Sequence, residues 1–376
     1  MNTNPFVFGK VVSGFHFVNR KKERAELATE IENHTNIILY APRRYGKTSL
    51  VHKTFADLKR KHKSFVGLII DFYRINSKEK FMISLTNEYA RNSGFSFERL
   101  LSYLRQTIRG ISPSLEMDPF GNPQISIQLI PGTTDKVFED VMKLPQKLAD
   151  DGKLVSVFFD EFQEIAALNG NNFQKELRAE IQHHKDVSYI FSGSKYHLFK
   201  ELFESKENPL YHIGKSLNLG LIEKSHYTRY ILKHFRIVNA KFNKQAAEKI
   251  FYNANGIPYY IQMLAHEIYN LALLNDDGAP DEIIELAQQN ILTNKGEEFL
   301  LLYENLNLSQ KITLEIIIQN GGKGLFKKDV IAHTSIAASS LKKALDTLIK
   351  KGVLTKTGTV YIFQDAFFER WLRSRQ

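Results

Sequence analysis

One stretch constrains this chain more than any other: Ala41-Pro42-Arg43-Arg44-Tyr45-Gly46-Lys47-Thr48. An apolar run, Asn36-Ile37-Ile38-Leu39-Tyr40, precedes it and reads as a buried strand. Ser49–Phe55 follows and reads as a helix. Strand, tight loop, Gly-Lys-Thr and helix are the setting of a phosphate-binding loop. The loop and the helix start present backbone N–H groups and a positive dipole end to an anion. Lys47 is placed to reach β- and γ-phosphates, and the Thr48 hydroxyl to ligate Mg²⁺. Gly46 gives the backbone room. Ala41 occupies the position where the usual pattern begins with Gly. That change costs about 1 kcal/mol if the residue needs positive φ, and almost nothing otherwise.

With 376 residues the chain should form two or three domains. No run approaches 18 apolar residues, so no membrane span is expected, and Met1–Lys10 lacks a secretory pattern. The absence of cysteine excludes disulfides, thiolate metal sites and cysteine nucleophiles, and fits the cytoplasm. A formal net charge of +10 favours acidic partners or solvates a lysine-rich surface.

Apolar strands alternate with helical segments up to about residue 220. Ser64–Phe72, Leu154–Phe159, Val187–Phe191 and Ser216–Leu219 read as strands beside Asn36–Tyr40. Helices are expected over Glu23–Asn33, Lys78–Leu104 (broken near Ser93-Gly94), Lys136–Asp150 and Asn172–His184. Such alternation implies a parallel three-layer α/β sheet with ligands at the strand carboxyl ends. Ser112–Thr134, with its prolines and its alternation over Gln124–Ile130, interrupts the pattern as a short strand or hairpin. It reads either as a partner-facing excursion or as a plain loop. From Lys224 to about Lys351 the chain is almost wholly helical.

Phe158-Phe159-Asp160-Glu161 is a strand ending in two carboxylates, about 110 residues beyond the loop. Asp160 is the expected Mg²⁺ ligand. Glu161 is the expected general base toward water attacking a γ-phosphate. Phe191-Ser192-Gly193-Ser194 ends the neighbouring strand. Ser192 is its candidate γ-phosphate sensor, and a turn capped by Ser194 is the alternative. Arg178 reads as a phosphate sensor or a surface ion pair. His183 and His184 read as solvated surface.

With these motifs assembled, the chain resembles the archaeal-type P-loop ATPases of the STAND/AAA+-like group. Phe17-Val18-Asn19-Arg20-Lys21-Lys22-Glu23 is similar to the N-terminal signature of that group, with Asn19 for Gly and Lys21 for Glu, so Arg20 and Glu23 carry over. Ala41–Leu50 resembles its Pro-Arg-Arg-x-Gly-Lys-Thr-Ser-Leu loop, and Gly256-Ile257-Pro258 its Gly-x-Pro lid element. The resemblance implies a P-loop NTPase parallel sheet in a three-layer sandwich, an α-helical lid and a C-terminal winged-helix domain. The expected boundaries are 1–222 (with an insertion about 105–135), 223–305 and 306–376. It implies ATP/ADP and Mg²⁺ as cofactors, with adenine rather than guanine because no Asn-Lys-x-Asp reader occurs. Nucleotide contacts are expected from Arg20, Ala41, Pro42, Arg43, Arg44, Tyr45, Gly46, Lys47, Thr48, Ser49 and Pro258.

Ser309–Asn320, Phe326–His333 and Ile336–Lys350, followed by a hairpin at Val353–Phe363, independently spell three helices and a wing. Ile336–Lys350 begins with Ala337, Ala338, Ser339 and Ser340, which are poorly suited to bidentate base contacts. The resemblance implies a packing role for the winged helix, which is favoured over DNA reading. The expectation is therefore a Mg²⁺-dependent ATPase acting as a molecular switch, in which nucleotide state controls the lid and winged helix. Its partner would be a protein engaging the C-terminal half, with nucleotide-dependent homo-oligomers. A DNA-binding ATPase of initiator or helicase-loader type is the alternative, and a non-hydrolysing nucleotide-binding scaffold the third reading.

Overall fold

The structure is a computed structural model that describes residues 3–94, 96–119, 121–168, 171–236, 242–274 and 279–375. It divides into two compact units. The first comprises Arg20–Ala41 and Lys47–Leu219; the second comprises Met1–Asn19, Pro42–Gly46 and Gly220–Gln376.

The first unit runs α1 (Lys21–Glu32), β1 (Ile37–Tyr40), α2 (Lys47–Lys61), β2 (Phe65–Asp71), α3 (Lys78–Ser93) and α4 (Phe97–Thr107). It continues with β3 (Ile111–Met117), β4 (Pro123–Leu129), α5 (Thr134–Asp150), β5 (Leu154–Asp160), α6 (Asn171–His183), β6 (Val187–Gly193), α7 (Tyr196–Glu204) and β7 (Lys215–Asn218). Five strands form one parallel sheet in the order β2-β5-β6-β1-β7. β6 thus lies between the strand feeding the phosphate loop and the strand ending in the two acids. The registers Leu39↔Ser192 and Phe159↔Phe191 bring these strand ends level. The strands read as continuous apolar runs because both faces are covered: every residue of β1 and β6 is buried.

The break expected in the long third helix is real. α3 ends where Gly94 takes φ +81°, and Ser96 caps α4 by accepting from Arg99 N–H. The Pro-rich interruption is a hairpin of two seven-residue strands, β3 and β4. Its buried Ile125 and Ile127 and the Asn87 amide, which donates to Ile125 O at 2.8 Å, tie it to α3.

The core beneath the acidic strand is built from phenylalanine. Phe162 packs against Phe72 and Phe191 (centroids 4.9 Å from each), Phe159 (5.7 Å) and Phe203 (5.9 Å). Gly67, mid-strand in β2, is required by packing, because a Cβ there would lie 2.3 Å from the Phe55 ring of α2. Among the described residues Arg178 forms no ion pair. Its guanidinium donates to the carbonyls of Pro209 and Tyr211, pinning the segment before β7. Of the pair His183 and His184, His183 is exposed; His184 is part-buried and bonds the buried Tyr189 hydroxyl at 2.6 Å.

The second unit runs α8 (Lys224–Phe235), α9 (Lys244–Asn253), α10 (Pro258–Leu274), α11 (Pro280–Asn294) and α12 (Gly296–Glu304). Next come α13 (Leu308–Asn320), α14 (Lys328–Ala332), α15 (Ala338–Lys350), β8 (Leu354–Thr357), β9 (Val360–Phe363) and α16 (Ala366–Arg373). α13, α14, α15 and the β8–β9 hairpin are the three helices and wing expected from sequence. The N-terminal segment belongs to this unit. Phe6, 1% exposed, packs against Tyr230, Phe235 and Tyr269, and Asn4 donates to His266 O at 2.9 Å. No helix among the described residues is long and apolar enough to cross a membrane.

Candidate active site

In the first unit, β1 and α2 bring Ala41 and Lys47 together. Lys47, 6% exposed, donates from Nζ to Ala41 O at 3.1 Å. Ala41 is not among the residues with positive φ, so alanine costs almost nothing at this position. The left-handed positions of the loop are instead Arg44 (φ +69°) and Gly46 (φ +88°). Gly46 is required for its backbone angle, since a Cβ there would meet nothing within 4 Å.

A chain of short hydrogen bonds then crosses the strand ends. Thr48 Oγ1 donates to Asp160 Oδ2 at 2.6 Å, and Ser192 Oγ donates to Asp160 Oδ1 at 2.5 Å. Glu161 N–H donates to the same Oδ1 at 3.0 Å. Ser192 is fully buried, so its hydroxyl serves Asp160. Asp160 is 8% exposed, and burial of a carboxylate requires such partners.

Glu161 adopts the left-handed region, φ +48°, uncommon for a residue with a long side chain. Its Oε2 accepts from Ser194 Oγ (2.6 Å), Gln163 Nε2 (2.7 Å) and Ser194 N–H (3.2 Å). Burial pushes the Glu161 carboxyl up. The bonds from Ser194 and Gln163 and the charge of Lys47 outweigh it and hold the group below the usual glutamate range. Asp71, level with Asp160 on β2, is pushed the other way, by burial first and then by the charges of Asp160 and Glu161.

Thr48 and Asp160 are hard oxygen donors in direct contact. A hydroxyl and one carboxylate suit Mg²⁺, which takes one or two carboxylates and completes its shell with water and phosphate oxygens. Among the described residues no group of three or more His, Asp or Glu could hold a metal without such help.

Arg20 is buried, 3% exposed, at φ +63°, and pairs with Glu23 at 2.9 Å. The two residues carried over by the N-terminal resemblance are therefore ion partners. Asn19, where that signature has glycine, takes φ +49°, which asparagine tolerates better than most residues. Ser49 is buried on α2.

Pro42–Gly46 falls in the second unit. There the Arg44 guanidinium lies 4.9 Å from the ring centroids of both Tyr259 and Tyr260 and pairs with Asp365 at 3.0 Å. Tyr259 N–H donates to Arg44 O at 3.4 Å. Pro258, the first residue of α10, is partly buried beside this group, Tyr45 is buried and Arg43 is exposed. Sequence reading assigned Gln163 no role and Ser194 only a cap. Their signal was their place just beyond the two strand ends.

A parallel sheet carrying a Gly-Lys-Thr loop, with an acidic strand one strand away, defines a P-loop ATPase fold. A model of the family described as "ATPase domain predominantly from Archaea" matches residues 17–264, and one described as "probable winged helix domain" matches 297–374. The chain belongs to that family of ATPase domains. A Walker-type ATPase of Pyrococcus abyssi superposes with TM-score 0.67 at 19% identity, covering 98% of this chain and 99% of its own. The ADP form of the Aeropyrum pernix ORC2 protein gives 0.57 at 12% identity, covering 99% and 97%. Its ADPNP-ADP complexes give 0.52 at 12% identity, covering 99% and 98%. No curated protein matches at the level of sequence.

Proposed function

We propose that this chain binds and hydrolyses ATP with Mg²⁺ and uses the nucleotide state as a switch. The observation that carries this reading is the Thr48–Asp160–Ser192 chain of hydrogen bonds with Glu161 beside it. Lys47 neutralises the phosphates. Thr48 and Asp160 would hold Mg²⁺, which when bound offsets phosphate charge. Ser192 orients Asp160 and so ties β6 to the γ-phosphate side. Glu161 accepts the proton of the water that attacks the γ-phosphorus as the bond to the ADP oxygen breaks. Arg20, Ala41–Ser49 and Pro258 complete the nucleotide contacts in this reading.

The switch reading is supported by Arg44, a phosphate-loop residue whose side chain is engaged by Tyr259, Tyr260 and Asp365. We infer that a change in the loop on hydrolysis is passed to α10 and α16 through these contacts, altering what the C-terminal half offers a protein partner or a second copy. The test is Mg²⁺-dependent ATP turnover with Lys47→Ala as the blank. Glu161→Gln should lose at least about 100-fold in turnover while still binding ATP. Unchanged turnover in Glu161→Gln would remove the general base.

DNA binding is the second reading. It is favoured by Lys342, Lys343 and Lys350 exposed on α15 with Lys356 exposed on the wing. Duplex affinity should then fall with salt by about 0.9 log units per log unit for each phosphate contacted. No binding at low salt would exclude it.

A further inference from the structure

The Glu161 carboxylate is held by three hydrogen bonds to one oxygen. Its backbone is left-handed, so local preference does not choose the side-chain direction. Three donors choose it, all bonding the same oxygen, Oε2: Ser194 Oγ, Ser194 N–H and Gln163 Nε2. That arrangement reserves Oε1 as the oxygen turned to a reacting water.

The surroundings of Gln163 show that its position is built. The side chain is 3% exposed, and Nε2 bridges Glu161 Oε2 at 2.7 Å and Glu164 Oε1 at 3.2 Å. Among the described residues its buried Oε1 has no hydrogen-bond partner, and the amide is oriented by its two acceptors. Gly193 admits it: a Cβ at 193 would lie 2.3 Å from Gln163 Oε1 and 2.5 Å from the Phe199 ring. Glycine between Ser192 and Ser194 thus lets β6 serve two acids. Ser192 reaches Asp160, and Ser194, with Gln163, reaches Glu161.

We propose that Ser194 and Gln163 are positioning residues that fix Oε2 of Glu161 and so aim Oε1 at the attacking water. The inference rests on the reading of Glu161 as base. It differs from a phosphate-sensing role because Ser194 acts through the base, whose Oε2 it bonds.

The experiment compares wild type, Ser194→Ala, Ser194→Thr and Glu161→Gln in the full chain. It reads single-turnover hydrolysis of MgATP and the dissociation constants of ATP and ADP. Ser194→Ala removes a hydrogen bond to a charged group and should slow hydrolysis about tenfold or more, with both dissociation constants within about twofold of wild type. Ser194→Thr keeps the hydroxyl and should restore most of the rate. Hydrolysis unchanged in Ser194→Ala overturns the inference. So does loss of ATP affinity with ADP affinity kept, which would make Ser194 a phosphate contact. A rate loss that Thr does not rescue, accompanied by weaker binding of both nucleotides, would make it merely structural. If Glu161→Gln hydrolyses normally, the base reading itself falls. If Glu161→Gln is inactive while Ser194→Ala is not, only the positioning role falls.

Discussion

Asp365 carries two duties that can be separated by substitution. It caps α16, accepting from Phe367 N–H at 2.9 Å and Phe368 N–H at 3.2 Å, and it pairs with Arg44 at 3.0 Å. Its side chain is 15% exposed, whereas that of Arg44 is 30% exposed. Burial raises the Asp365 carboxyl, and the opposing pull of Arg44, Lys295 and the two backbone N–H groups does not cancel it. A carboxyl raised on folding binds its proton more tightly in the folded chain. Its contribution to stability is therefore full at low pH and is lost as pH rises from the ordinary carboxylate range through the raised value. At neutral pH the charge is a net burden on the fold. Asp365→Asn keeps the cap, since Asn caps as well as Asp, and removes the buried charge. Its stability should match wild type within about 0.5 kcal/mol or exceed it. Asp365→Ala loses the cap, about 1 kcal/mol. Arg44→Ala strands the carboxylate and removes the contacts to both tyrosines. Discounted for the exposure of Arg44, that costs about 1–2 kcal/mol. The assay is available in the sequence itself. Trp371, the single tryptophan, is buried on α16, so its fluorescence during urea unfolding reports this helix directly. Nucleotide-free protein at pH 7 should rank Asp365→Asn at or above wild type, then Asp365→Ala, then Arg44→Ala. An Asp365→Asn midpoint as low as that of Arg44→Ala would refute the argument, because the charge would then stabilise the fold.

Phe162→Ala should cost about 3–5 kcal/mol, read by circular dichroism in urea, because the ring is fully buried among four other phenylalanines; a loss under about 1 kcal/mol would mean the cluster collapses around the void. Burial, with the neighbouring His183 charge, lowers His184 to about 4, so the unfolded chain binds the proton more readily between about 6.5 and 4. Stability from His184 is complete above about pH 6.5 and is lost as pH falls toward 4, by up to about 3 kcal/mol. His184→Gln should flatten the pH dependence of the urea midpoint in that window, and an unaltered slope would show that His184 is already charged in the fold.

The phosphate loop was legible because its determinants are local. A strand, a Gly at φ +88° and Lys-Thr at a helix start lie within a dozen residues, and each residue type has its own backbone reason. The acidic strand was legible for the same reason, and the helix–helix–helix–hairpin pattern of the C-terminal domain followed from periodicity and a Thr-Gly-Thr turn. Ser192 was found as a polar strand end, yet sequence could not show that its hydroxyl faces Asp160. That depends on β6 lying beside β5, a pairing between segments far apart in the chain.

Sequence by itself thus determined the class of fold, the place of the loop between its strand and helix and the two carboxylates at a strand end, because propensity and motif act over a few residues. Tertiary structure alone decided which partners hold those groups. Pairing across the sheet brings Ser194 to Glu161, Gly67 yields to the Phe55 ring, and Arg178 pins carbonyls some thirty residues away. Arg44 meets Asp365 across 321 positions. Such contacts depend on how a few long-range packings close, and no local pattern of residue types records that outcome.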